Sequence, residues 1–166
     1  MEELAVPTVN QEQTMNPRTL FRTVAVAEAV TWAFLLLGMF LKYVTRTTEA
    51  LVPPAGAVHG FVFLCFVVTT IFIWINQRWP LVTGLLGLAS AIIPFATVPF
   101  ERWIERRGRL GGGWRLAPGA DAPRNPAEQV QAWVLRSPLV ALFVAIFGIS
   151  VVFTVLLLVG PPGSSS

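Results

Sequence analysis

The chain has 166 residues, of which 54% are apolar and only 13% charged. An average soluble domain carries roughly a quarter charged residues. So little charge excludes a disordered protein and leaves too few polar groups to cover a soluble domain. One cysteine and one histidine exclude a disulfide framework and a self-contained Cys/His zinc site. What remains is a small integral membrane protein.

The first residues carry Glu2, Glu3 and Glu12 in place of a basic leader, so they do not read as a secretory signal. Residues 1–16 are expected to form a flexible tail, and Met15 is a candidate start because everything legible follows it. Asn16-Pro17 then reads as the N-cap and first position of a helix.

A bilayer core about 30 Å thick needs about 20 apolar residues in a helix. Four segments reach that length: roughly 21–41, 57–75, 81–100 and 138–159. Runs such as Leu35-Leu36-Leu37 do not alternate in polarity, which excludes barrel strands. Lipid cannot satisfy backbone groups, so each segment is expected to be a helix. Pro53-Pro54, Pro80 and Ser137-Pro138 open the second, third and fourth. The short Asn76-Gln77-Arg78 turn predicts a tight hairpin between the second and third. Tyr43, Trp74, Trp79 and Trp103 fall at segment ends, where amphipathic rings favour the interface.

The fold class expected is all-α, a polytopic membrane helix bundle. A three-span domain over 17–105 is followed by a linker at 106–125 rich in Gly, Pro and Arg, read as flexible. Residues 126–160 hold a short helix and the fourth span, and 161–166 form a C-terminal tail. Asn125-Pro126-Ala127-Glu128 has the pattern of a helix cap. The helix after it either lies in the headgroup plane on Val130, Trp133 and Val134 or simply extends into the fourth span.

Four spans place both termini and the 76–80 turn on one side, with Arg18, Arg22 and Arg78. The other side then holds Lys42, Arg46 and the arginines at 102, 106, 107, 109, 115, 124 and 136. Three cations against nine predict both termini outside and the 101–137 loop in the cytoplasm. The arginines face anionic headgroups, so the basic balance implies no nucleic acid.

Glu28 is the one charge between Arg22 and Lys42. A carboxyl at that depth normally faces protein or water. Thr31, Thr69, Thr70, Ser90, Ser150 and Thr154 are its expected neighbours in one polar layer. Glu28 is either a proton or ligand site or a hydrogen bond that fixes helix register. His59 is expected in the first turn of the second helix, level with Lys42 and out of reach of Glu28. Pro94 is expected to kink the third helix beside Ser90. Small residues recur at four-residue spacing: Ala25, Ala29 and Ala33; Gly56 and Gly60; Gly87 and Ala91; Ala141 and Ala145. Such faces allow close helix packing. No phosphate loop, nucleophile elbow, paired carboxylates or HExxH pattern is found, so no enzyme and no cofactor are expected.

Residues 18–106 resemble the small bacterial membrane proteins grouped as domain of unknown function 3817. The resemblance rests on Phe21-Arg22, Glu28, Leu41-Lys42-Tyr43, Gly56…His59-Gly60, Ile93-Pro94-Phe95 and Phe100-Glu101-Arg102. Ala29 and Phe40 stand where it implies Gly and Pro. It implies a three-span unit and marks Glu28, Lys42 and His59, without assigning an activity. The expectation is an accessory or assembly component that packs in the bilayer against itself or other membrane subunits. The alternative is a small oligomeric carrier coupled to protons through Glu28.

Overall fold

The computed structural model describes residues 16–159; the expected tails at 1–15 and 160–166 lie outside the described residues. Helix α1 spans Pro17–Met39 and runs on into a π-helical turn, Phe40–Val44. Helices α2 (Val52–Gln77), α3 (Leu81–Ser90), α4 (Thr97–Arg106), α5 (Pro126–Arg136) and α6 (Pro138–Val159) follow. Local chemistry sets the starts. Asn16 Oδ1 accepts from the Arg18 N–H (3.1 Å), and Asn125 Oδ1 accepts from the Glu128 N–H (2.9 Å), as the cap patterns imply.

Among the described residues, three helices are long and apolar enough to cross a bilayer: Pro17–Val44, Val52–Gln77 and Pro138–Leu156. The third expected span, 81–100, is not one helix. α3 stops after ten residues, about 15 Å or half the hydrocarbon thickness. Residues 91–96 then turn, and Phe95 takes a left-handed φ of 63°. α4 runs back to the end where α3 began. Trp79, just before α3, packs edge-on against Phe100 of α4 (6.2 Å), and its indole N–H donates to the Arg109 carbonyl (2.9 Å). Pro94 therefore marks a reversal and not the expected kink. Hydropathy counts apolar residues but carries no direction, so a folded-back pair reads as a single crossing.

This hairpin changes the topology. Arg18 pairs with Glu105, so α4 ends where α1 begins. α6 runs antiparallel to α2, with Phe153 against Gly60 and Phe61. Its far end is therefore level with the start of α2. Residues 17 and 159 sit at opposite ends of the bundle, against the expectation that both termini share a side. Arg18, Arg22, Arg78 and the arginines from 102 to 136 now gather at one end, leaving Lys42 and Arg46 at the other.

The core sits where α1, α2 and the hairpin meet. Phe21, Phe66, Ile73, Trp79, Ala91, Phe100, Ile104 and Leu110 bury together. Trp79 is therefore a core residue and not an interface anchor. Small residues serve this packing. A Cβ on Gly84 would lie 2.1–2.3 Å from the Trp74 ring, and one on Gly87 would lie 2.9 Å from the Thr70 methyl.

Residues 107–125 hold no helix, but they are fitted to the end of α2 and do not form a free linker. Leu110 and Leu116 are buried to 1%. Arg115 donates to the Asn76 carbonyl (3.0 Å) and the Ile75 carbonyl (3.2 Å), capping the helix where its dipole favours a cation. The same guanidinium donates to Glu128 Oε1 (2.8 Å) and lies 3.6 Å from Asp121. Glu128 Oε2 accepts from the Arg124 backbone N–H (2.8 Å), and Arg78 approaches Oε1 at 3.4 Å. α5 descends beside α2, with Gln131 donating to the Phe72 carbonyl (3.0 Å), and Ser137 breaks it from α6.

Two outcomes are expected. Gly84→Ala forces Trp74 out of place and should lower stability by about 1–3 kcal/mol, read as a thermal midpoint in mild detergent. The Arg124 N–H, then Arg115 and Arg78, hold the Glu128 carboxyl below its ordinary value of 4.5. A carboxyl depressed in the folded state contributes stability above its unfolded value and loses it as pH falls through the folded one. Proteolytic nicking of the 107–125 segment should therefore rise as pH drops below about 4.5, and Arg115→Ala should shift that rise upward.

Candidate functional site

Polar groups inside the bundle collect around the middle of α1. Glu28 is 0% exposed and Thr97 is 0% exposed. Thr97, the first residue of α4, places its Oγ1 2.9 Å from the Ala25 carbonyl and 3.1 Å from Glu28 Oε2. A threonine hydroxyl has one hydrogen to give. Thr97 is the donor to both oxygens, and its single hydrogen is shared between the Ala25 carbonyl and Glu28 Oε2. Glu28 Oε1 has no partner among the described residues.

One turn along, Thr31 donates to the Glu28 carbonyl (2.9 Å) and meets His59 Nδ1 (3.1 Å). The Trp32 ring packs on the His59 ring at 4.4 Å. The Trp32 indole N–H points to the Ala91 carbonyl (3.4 Å), the first residue past α3. Three elements are thus fastened to α1: the hairpin through Thr97 and Ala91, and α2 through His59.

His59 is therefore level with Thr31, not with Lys42 as its place near the start of α2 suggests. α1 overshoots that start. A Cβ on Gly38 would sit 3.4 Å from the Val52 nitrogen, so α2 begins level with Gly38. Lys42 lies beyond it and pairs with Glu49 (3.3 Å). The same offset moves Thr69 and Thr70 away from the level of Glu28, and the hydroxyls of other expected neighbours are used elsewhere. Thr70 donates to Phe66 (2.8 Å), Ser90 to Gly87 (2.7 Å) and Thr154 to Ser150 (2.8 Å), each within its own helix. Glu28 and His59 thus share one cluster, and Ser90 is buried beside the turn that Trp32 contacts. Pro94 lies on the exposed tip of the hairpin, and Lys42 is remote.

Sequence reasoning missed Thr97, Trp32 and Glu101. Glu101 is 3% exposed and lies one turn beyond Thr97 on α4, a second buried carboxyl. The readable signal was Trp32. A mid-span indole N–H needs an acceptor, and an intact neighbouring helix spends its carbonyls on itself.

The fold and its buried polar fastening define a polytopic integral membrane helix bundle. The family model described as "Domain of unknown function (DUF3817)" matches residues 18–106. The chain belongs to that family. It is 40% identical over 124 residues to SCO5905 of Streptomyces coelicolor, named as a membrane protein; the match covers 73% of this chain and 14% of that one. It is 29% identical over 85 residues to the uncharacterized membrane protein YdzA of Bacillus subtilis, covering 51% of this chain and 88% of that one. The chain thus spans a small part of the longer Streptomyces protein. No solved structure matches.

The Glu28–Thr97 contact generates a test. Thr97→Val leaves the carboxyl unpaired and should cost about 1–3 kcal/mol. Glu28→Gln keeps an amide oxygen to accept from Thr97 and should melt within about 0.5 kcal/mol of the wild type. Thermal unfolding in detergent measures both.

Proposed function

We propose that this chain is a non-enzymatic structural module of the membrane, an accessory or assembly component that packs against itself or a larger membrane complex. The observation that carries this reading is the use made of the intramembrane polar groups. Glu28, Thr97, Thr31, His59 and Trp32 are each engaged between elements of the bundle. Interhelical hydrogen bonds of this kind fix register more than they add stability, about 0.6 kcal/mol each on average.

Two further features support it. α6 contacts the rest of the bundle along α2 and α5 and leaves Leu142, Phe143, Ile146 and Phe147 exposed, a surface open to a second helix. The Streptomyces relative carries the matching stretch within a much longer chain, which suits a module that anchors or assembles.

The charge distribution supports an orientation with residue 17 and the arginine-rich segment in the cytoplasm and the end of α6 outside. Ten of the 12 Lys and Arg residues gather at the first end, and only Lys42 and Arg46 lie at the other. A bacterial plasma membrane is the setting this orientation assumes.

The test is cross-linking and mild-detergent purification of the full chain, with a reporter on each end. A discrete oligomer or a co-purifying membrane subunit is expected, unchanged by Glu28→Gln, with the N-terminal reporter cytoplasmic. A monomer without partners would refute the module. Proton flux in liposomes that Glu28→Gln abolishes would replace it with the carrier reading, which the unpartnered Glu28 Oε1 favours.

A further inference from the structure

At the end of the bundle away from the arginine cluster, α1 does not stop where α2 begins. Pro17–Val44 is 28 residues long, about 42 Å at 1.5 Å per residue. That exceeds a core about 30 Å thick, so its last turns reach headgroup level. There the helix widens to π geometry over Phe40–Val44, with the Thr45 N–H donating to the Phe40 carbonyl (3.1 Å). Arg46 follows with a left-handed φ of 54°. π turns and strained residues of this kind concentrate at functional sites, because the surroundings must hold them.

These two features frame a cavity of about 580 Å³ lined by Lys42, Tyr43, Arg46, Thr47, Thr48 and Glu49. Its donors outnumber its acceptors. Among the described residues, Arg46 has neither hydrogen bond nor ion pair, so its five N–H groups are unspent. Lys42 contacts Glu49 (3.3 Å) and the face of the Tyr43 ring (5.4 Å) and has N–H groups left to donate. The Thr48 hydroxyl accepts from the Ala50 N–H (3.2 Å), which leaves its own hydrogen to donate. Two cations and a hydroxyl donor against one exposed carboxylate suit an anion, and a guanidinium suits phosphate oxygens in particular.

A second cavity of about 210 Å³ lies between α1 and the start of α2. Thr31, Phe34, Leu51, Pro54, Ala55 and Val58 line it, and its wall is almost wholly apolar. It opens between α1 and α2 on the membrane side of the loop. A polar, cationic cup at headgroup level above an apolar groove has the two-part chemistry of a phospholipid.

We propose that the 42–49 loop is a phosphate site, occupied by the headgroup of a phospholipid whose acyl chain lies in the groove below. The site stands apart from the module reading above. A free phosphate would share the headgroup chemistry but not need the groove.

Native mass spectrometry of the full chain, released from nanodiscs of mixed phosphatidylglycerol and phosphatidylcholine, tests this. Diacylglycerol and inorganic phosphate serve as probes of tail and anion alone. The expected result is retained phospholipid, no retained diacylglycerol, and about a tenfold loss of phospholipid in Arg46→Gly. Glycine accepts the left-handed φ, so the thermal midpoint should hold or rise. Val58→Trp, which fills the groove, should weaken phospholipid but not inorganic phosphate. Should inorganic phosphate bind alone, depend on Arg46 and ignore Val58→Trp, the anion site stands with a soluble occupant. Lys42→Ala gives a second reading should Arg46→Gly fold poorly. Phospholipid and phosphate retained at wild-type levels by folded Arg46→Gly or Lys42→Ala would overturn the proposal.

Discussion

A helix that ends in the middle of a bilayer exposes backbone groups where water cannot reach them, and this architecture depends on how those groups are met. Irregular backbone at membrane depth is tolerated only against protein. Here α1 supplies the protein. Trp32 donates to the Ala91 carbonyl past the end of α3, and Thr97 opens α4 with its hydroxyl on the Ala25 carbonyl. The Ser90 hydroxyl turns back to Gly87. Two prolines reduce the demand further. Pro94 in the turn and Pro99 in the first turn of α4 carry no N–H to satisfy. The side chains at the tip, Ile92, Ile93 and Phe95, remain exposed, which lipid accepts and water would not.

The offset between α1 and α2 has equal reach. Because α2 starts level with Gly38, every pairing between the two helices moves by about two turns from what equal ends would give. Phe21 meets Phe66 at 5.6 Å, and His59 meets Thr31. The offset draws His59 into the cluster around Glu28. It also lifts Lys42 and Arg46 clear of α2, where a cavity can form. One feature of the first loop thus separates residues that lie close in sequence pattern and joins others that do not.

Much of this was legible. Length and apolar content locate α1, α2 and α6, and Asn16 and Asn125 cap the helices that their neighbours imply. Glu28 stands out as a buried carboxyl from its surroundings alone. Three things were not legible. Direction within an apolar run leaves no mark on composition, so α3, the turn and α4 read as one span. Register depends on loop geometry, and the Arg46 backbone and π turn follow from no local propensity. The 107–125 segment reads as flexible because Gly and Pro dominate it. Its order comes from Arg115, which spends its guanidinium on α2 and Glu128, contacts that bring together residues far apart in sequence.

Charge connects these misreadings. With 81–100 taken as a crossing, Arg78 and the later arginines fall on opposite faces, and the two ends of the first helix balance. With α3 and α4 folded together, Arg78, Arg109 and Arg115 stand side by side, joined through Asn76, Thr83 and Glu128. A short hairpin that folds back on itself moves the whole basic loop to the end where α1 begins. Under the orientation proposed above, each long helix then crosses a membrane whose cationic face is the same throughout, and the two remaining cations, Lys42 and Arg46, stand out on the far side. Under that orientation both are cations on the translocated face, against the bias that orients the chain. The proposed headgroup site would give them an anionic partner on that face.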